Sequence, residues 1–91
     1  AVQLSAKDYA KYKLQDKSQY LCLTALIGKE SAWNHKAFNP DGPAYGLFQM
    51  KTKYVTRLTA IEQIDLGLRY IEHRYKTPCK AWSYWQRHYW Y

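Results

Sequence analysis

From Thr59 onward the chain carries its most restrictive pattern. Thr59-Ala60-Ile61-Glu62 has the spacing of a capping box, in which a hydroxyl and a carboxylate each satisfy a free backbone N–H of the other residue. Apolar residues then fall at Ile61, Ile64, Leu68, Ile71 and Tyr75, in steps of 3, 4, 3 and 4. That is the recurrence of one face of an α-helix. The stripe reads as a core face rather than a cofactor box, so the rest of the chain must supply a matching apolar surface. The 91 residues make a single small domain. A chain this short buries only roughly 60–65% of its unfolded surface, so further stabilisation is expected.

Three more helices are expected around that one. Ser5-Ala6-Lys7-Asp8 reads as a helix start, with Ser5 as cap, running to about Lys13–Asp16. Ser18 is placed to cap a second helix. Its apolar positions Leu21, Cys22, Ala25 and Leu26 recur at helical spacing and carry the chain to Glu30. Gly28 costs about 1 kcal/mol against Ala there, and marks either close packing or fraying. His35 to Ala44 is loop-like, and Asn39-Pro40-Asp41-Gly42-Pro43 is dense turn chemistry. Gly46 to Met50 reads as a short helix or turn. Thr77-Pro78 reads as an N-cap followed by Pro at the first helical position. The helix it opens carries Cys79, Trp82 and Trp85, and the tail His88-Tyr89-Trp90-Tyr91 is aromatic. Lys53-Tyr54-Val55-Thr56 is the one weak strand candidate. The expected class is mainly α, with one cleft loop and little or no sheet, and without repeats or linkers.

Cys22 and Cys79 are too far apart for a CxxC metal or redox motif. Two readings remain, one disulfide or two buried thiols, and the disulfide is favoured. It would contribute about 4 kcal/mol by the chain-entropy argument and implies an oxidising location: exterior, cell envelope or virion. Net charge is +7, which attracts polyanions such as nucleic acid, anionic membrane or bacterial cell wall. The positive residues are scattered rather than clustered, as on a solvated face. No apolar stretch approaches the ~20 residues of a membrane span, so no membrane insertion is expected. The chain begins at Ala1 with no visible signal peptide, which fits a removed leader or a larger parent protein.

Glu30 is the residue with the clearest chemical promise. It closes an apolar, helix-like run, with Trp33 three residues on and Gly46-Leu47-Phe48-Gln49 beyond. Glycosidic oxygen leaves poorly unless protonated. A carboxyl group that holds its proton near neutral pH, in an apolar and partly desolvated setting, can supply that proton. Trp33, Tyr45 and Phe48 are candidates for a sugar-stacking wall.

These residues also carry a family resemblance. Glu30-Ser31-x-Trp33-Asn34, Ala37-x-Asn39-Pro40 and Ala44-Tyr45-Gly46-Leu47-Phe48-Gln49 resemble the soluble lytic transglycosylase domain of the lysozyme-like fold. The likeness continues through Gln63-Ile64-x-x-Gly67-Leu68-x-Tyr70-Ile71-x-x-Arg74-Tyr75, Pro78-Cys79-x-Ala81-Trp82 and a closing Trp90-Tyr91. It is similar to versions in bacteriophage tail and tape-measure proteins and in actinobacterial secreted proteins. The resemblance spans roughly Cys22 to Tyr91. It implies cleavage of the β-1,4 bond between N-acetylmuramic acid and N-acetylglucosamine in bacterial peptidoglycan. Glu30 matches the catalytic acid, and Ser31 the serine that positions acid or substrate. Gly46, Leu47 and Gln49 match the turn lining the cleft, with Phe48 where Met is common. Tyr70 matches the third motif's tyrosine. For the family's late Ala-Tyr-Asn segment the nearest stretch is Ala81-Trp82-Ser83.

A two-carboxylate glycosidase would need a partner for Glu30, and Asp41 and Asp65 are the candidates. Asp8, Asp16, Glu62 and Glu72 fall on outer helix faces. The weakness of both candidates favours a single-acid route, with the muramic acid 6-hydroxyl or water as acceptor of the sugar. No metal and no cofactor is expected, because His35, His73 and His88 lack ligand spacing. Ser31 lacks the setting of a nucleophile. The rival readings are a non-catalytic wall-binding or phage-tail module and an aromatic, basic nucleic-acid binder. No nucleic-acid motif supports the latter, so peptidoglycan is the expected partner and nucleic acid is not. The isolated domain is expected to be a monomer, within or apart from a larger tail protein.

Overall fold

The computed structural model describes residues 5–89, so the Trp90-Tyr91 pair lies outside the described residues. The chain runs α1 (Ala6–Leu14), α2 (Lys17–Ser31), β1 (Phe38–Asn39), β2 (Ala44–Tyr45), a 3-10 helix (Lys53–Arg57), α3 (Ala60–Tyr75) and α4 (Pro78–His88). It is mainly α, as expected, with one minimal antiparallel hairpin among the described residues. None of its described helices is long and apolar enough to cross a membrane.

Local chemistry explains the helix starts. Ser5 accepts from the Asp8 N–H, and Thr77 from the Lys80 N–H ahead of Pro78. The Thr59–Glu62 capping box is closed in both directions, at 3.1 and 2.9 Å. The cap of α2 is Asp16, not Ser18. Asp16 accepts from the Gln19 N–H at 3.1 Å, and Ser18 lies inside the helix. Only Gln15 and Asp16 separate α1 from α2, so the earlier cap-forming residue takes the position. Leu21 is 54% exposed, while Leu23, Leu26 and Ile27 are fully buried. Gly28 faces solvent with open space where a side chain would stand, so close packing does not account for it. Lys53–Arg57 is 3-10 helix rather than strand, capped by Thr52.

The core joins Leu23, Leu26 and Ile27 of α2 to Ile64 and Ile71 of α3, Ala10 of α1 and Ala81 of α4. Leu47 and Phe48 enter it from the segment after β2. α4 packs chiefly on α2, and the Cys22–Cys79 disulfide joins the two helices across 57 positions.

The inner face of α3 is wider than its apolar stripe. Gln63 and Gly67 are buried beside Ile64 and Ile71. A side chain at Gly67 would overlap the Phe48 ring, so the missing Cβ is what admits that ring. Buried Gln63 spends its amide on backbone. It accepts from the Leu47 N–H at 2.9 Å and donates towards the carbonyls of His35, Val55 and Leu58. One side chain of α3 thereby holds three neighbouring segments.

Candidate functional site

α2 stops one residue after Glu30, because Ala32 and Trp33 both adopt left-handed backbone (φ 51° and 62°). Neither is glycine, so each carries strain on the order of 1–2 kcal/mol. Such strain persists only where surrounding contacts over-determine it, and it gathers at functional sites. Ser31 supplies one of those contacts. Its buried hydroxyl reaches the Leu47 carbonyl at 2.8 Å and the Ile27 carbonyl at 3.3 Å. The end of α2 is thus fastened to the turn that follows β2.

That turn is Gly46-Leu47-Phe48-Gln49, closed by reciprocal Tyr45–Met50 hydrogen bonds of 2.8 and 3.0 Å. It is a turn, not a short helix. Gly46 has φ 79°, and an added Cβ would stand 2.5 Å from Gln63 Oε1 and 2.6 Å from Val55 Cγ1. Only glycine fits. Gln49, also left-handed at φ 52°, donates its amide to the Gly46 and Ala37 carbonyls at 2.9 and 3.3 Å.

Between the end of α2, the hairpin, this turn and α4 lies an open cleft of about 640 Å³. Glu30 and Gln49 line it, with Asn39 and Ala44 of the hairpin, Asp41 and Lys51, and Trp85 and Tyr89. Glu30 is partly buried. Its Oε1 accepts a short hydrogen bond, 2.5 Å, from the Trp85 indole N–H. Burial pushes its carboxyl above the usual carboxylate range, and the Trp85 hydrogen bond opposes that rise. An indole nitrogen donates and cannot accept. When Glu30 is protonated, a proton on Oε2 leaves Oε1 fully available to that donor. A carboxyl group placed this way can donate a proton to a ligand in the cleft and later take one back.

A sequence model of the transglycosylase SLT domain matches residues 8–85. The chain belongs to that family. No curated protein and no solved structure matches it. The SLT match includes Glu30, Gln49 and Trp85, which meet at the cleft, whereas Gly46 borders the other side of the hairpin.

The other expected site residues of this SLT domain have diverse surroundings. Leu47 and Phe48 are buried in the core, and the Phe48 ring lies against Gly67 rather than forming the expected sugar-stacking wall. Tyr70 lines an adjoining cavity of about 450 Å³ that shares Gln49 and Lys51 with the Glu30 cleft. Its hydroxyl accepts from Arg74 at 3.2 Å. Trp33 turns away from the cleft and packs against the core, with Lys7 Nζ 5.3 Å from its ring centre. Tyr45 faces the far side of the hairpin against Phe38. Of the two carboxylates considered as partners, Asp41 lines the cleft. Asp65 does not: it accepts from the Tyr9 hydroxyl at 2.6 Å and ties α3 to α1.

Trp85 is the residue that sequence reasoning assigned to no site. The stretch compared with the late Ala-Tyr-Asn segment places Ala81 in the core and stacks Trp82 on Trp85 at 5.4 Å. The ring at Glu30 comes one helical turn later. Helical periodicity from Ala81, itself spaced from Pro78 and Trp85 by 3 and 4, could have pointed to it. Among the described residues no group of three or more His, Cys, Asp or Glu side chains is arranged to hold a metal ion.

Proposed function

We propose that this SLT domain cleaves the β-1,4 bond between N-acetylmuramic acid and N-acetylglucosamine, with Glu30 as general acid and then general base. The observation that carries the reading is the Glu30 carboxyl itself: half-buried, raised in pKa by desolvation, and opening on a cleft large enough for sugar rings. Glu30 protonates the leaving glycosidic oxygen as the C1–O bond breaks and positive charge develops at the ring. The resulting carboxylate then removes a proton from the nucleophile that attacks C1. If that nucleophile is the muramic acid 6-hydroxyl, a 1,6-anhydro sugar results. If it is water, a reducing end results.

The single-acid, intramolecular route is favoured by how the acids are arranged. Asp41 is exposed, in a turn where the Asn39 side chain accepts its N–H at 3.0 Å. That Asx turn is made by the Asn39 side chain, and it holds the Asp41 backbone rather than its carboxylate. The disulfide and the family together support action at the cell envelope or outside the cell. Purified peptidoglycan digested by the domain should yield muropeptides lighter by one water than hydrolysed ones, read by mass spectrometry. Reducing ends alone would replace the transglycosylase route with hydrolysis, and no soluble products would remove the enzymatic reading.

Trp85→Phe keeps an aromatic ring, though a smaller one, and removes the donor. The donor lowers the Glu30 pKa, so its loss raises it further. The high-pH limb of the kcat/KM profile should move to higher pH, and the maximal rate should fall about tenfold, the size of one hydrogen bond to a charged group. An unchanged limb would show that the indole does not act on the carboxyl.

A further inference from the structure

The hairpin that walls the Glu30 cleft has a second face, and that face also borders a cavity. β1 and β2 pair Phe38 with Tyr45 and Asn39 with Ala44. Directly opposed residues share a face, and the next pair along points the other way. Asn39 and Ala44 accordingly line the Glu30 cleft. Phe38 and Tyr45 line a separate hollow of about 490 Å³ behind the hairpin.

The make-up of that hollow is selective. The Phe38 and Tyr45 rings form one wall, with centres 5.3 Å apart, and Phe38 is left 58% exposed. An exposed ring at the mouth of a hollow offers apolar area to a ligand that enters it. Gly46 and the Gln63 side chain line the hollow too, and Gln63 is already hydrogen-bonded to backbone on both sides of its amide. That part of the lining is rigid. The facing wall is the 3-10 segment, contributing Lys53 and Thr56. Lys36 and His35 join Lys53 around it, and no Asp or Glu is part of the lining. Aromatic faces with cations and without acids suit a flat, amphipathic ring that carries a carboxylate.

We infer that this rear hollow is a second glycan-binding site, which holds an acidic, peptide-bearing sugar of the peptidoglycan strand apart from the one at Glu30. The inference rests on the reading of the substrate given above. Because the two sites share a hairpin only two residues wide on each strand, a neighbouring strand of the wall can be held while another is cut. The rear site adds affinity for the polymer through multivalency and contributes nothing to a fragment too short to reach both sites.

Two variants test this, Phe38→Ala and the doubly charge-reversed Lys36→Glu/Lys53→Glu. The two lysines are exposed, so the second variant retains the fold even if the first loosens the hairpin. Co-sedimentation with insoluble sacculi should weaken about fivefold to tenfold in each, a loss of roughly 1–1.4 kcal/mol. Cleavage of a soluble tetrasaccharide-peptide should keep its wild-type rate. Unchanged sedimentation of the charge-reversed protein overturns the inference. So does a charge-reversed protein that loses binding to a single-stranded oligonucleotide but keeps sacculus binding, which would assign the hollow to nucleic acid. A wild-type domain that sediments through these residues yet cuts neither substrate would support the rear site and defeat the catalytic reading.

Discussion

Exchanging Glu30 for glutamine is expected to slow glycan cleavage by about 10²–10⁴-fold, the range lost when a positioned general acid is removed. Glutamine has nearly the same shape, and its carbonyl can still accept from the Trp85 indole. The residual activity therefore measures proton transfer rather than damage to the cleft. Desolvation raises the folded pKa of Glu30, so folding favours the protonated form. The stability that this contributes is complete below the ordinary carboxylate pKa. It is lost as pH rises through the raised folded value. At neutral pH the glutamine variant should therefore be at least as stable as wild type, with the difference vanishing in acid. The wild-type rate should fall over the same rise in pH, because the first step uses the protonated acid. Muropeptide release and thermal melts recorded across pH check both halves. A variant that cleaves at the wild-type rate would take Glu30 out of the reaction.

The disulfide carries the largest expected effect on stability. It closes a loop across 57 positions. Replacing both cysteines by alanine should therefore lower the unfolding free energy by about 4 kcal/mol. A whole domain commonly has only ~5–15 kcal/mol. For a chain of this size the loss corresponds to a fall in Tm of roughly 15–30 °C, readable by calorimetry. Reductant on the wild type should reproduce it. A change of only a few degrees would mean that the unfolded chain gains little freedom when the bridge is cut. The bridge joins α2, which bears Glu30, to the first turn of α4, which bears Trp85. Partial loosening should therefore reach activity at temperatures where most molecules remain folded.

The helices were legible in the sequence because their causes are local. α3 is announced by its capping box and stripe, and α4 by Thr77 and Pro78. The start of α2 was misread because Asp16 and Ser18 are both good caps, and only the brevity of the link after α1 decides between them. Glu30 was singled out by the family's Glu-Ser motif, because its place at a helix end before a turn-rich segment suits an ordinary exposed glutamate equally well. Gln63, Gly67 and Trp85 were not legible in the same way. An amide inside a helix says nothing until the Leu47 N–H arrives to use it, and a glycine says nothing until the Phe48 ring needs its space. The choice among the Trp and Tyr rings of α4 depends on how that helix lies across α2. Trp33 and Tyr45 stand close to the motifs in sequence. The left-handed residues after α2 and the alternation of the hairpin send them elsewhere.

Trp85 also sets the smallest transplantable unit. A piece cut off before α4 would retain the Glu-Ser pair, the hairpin and the Gly-Leu-Phe-Gln turn. It would lack the indole at the carboxyl and one half of the covalent staple. Grafts into other scaffolds must therefore carry the C-terminal helix along, and chimeras joined between the cysteines, which stand 57 positions apart, must keep both ends in register.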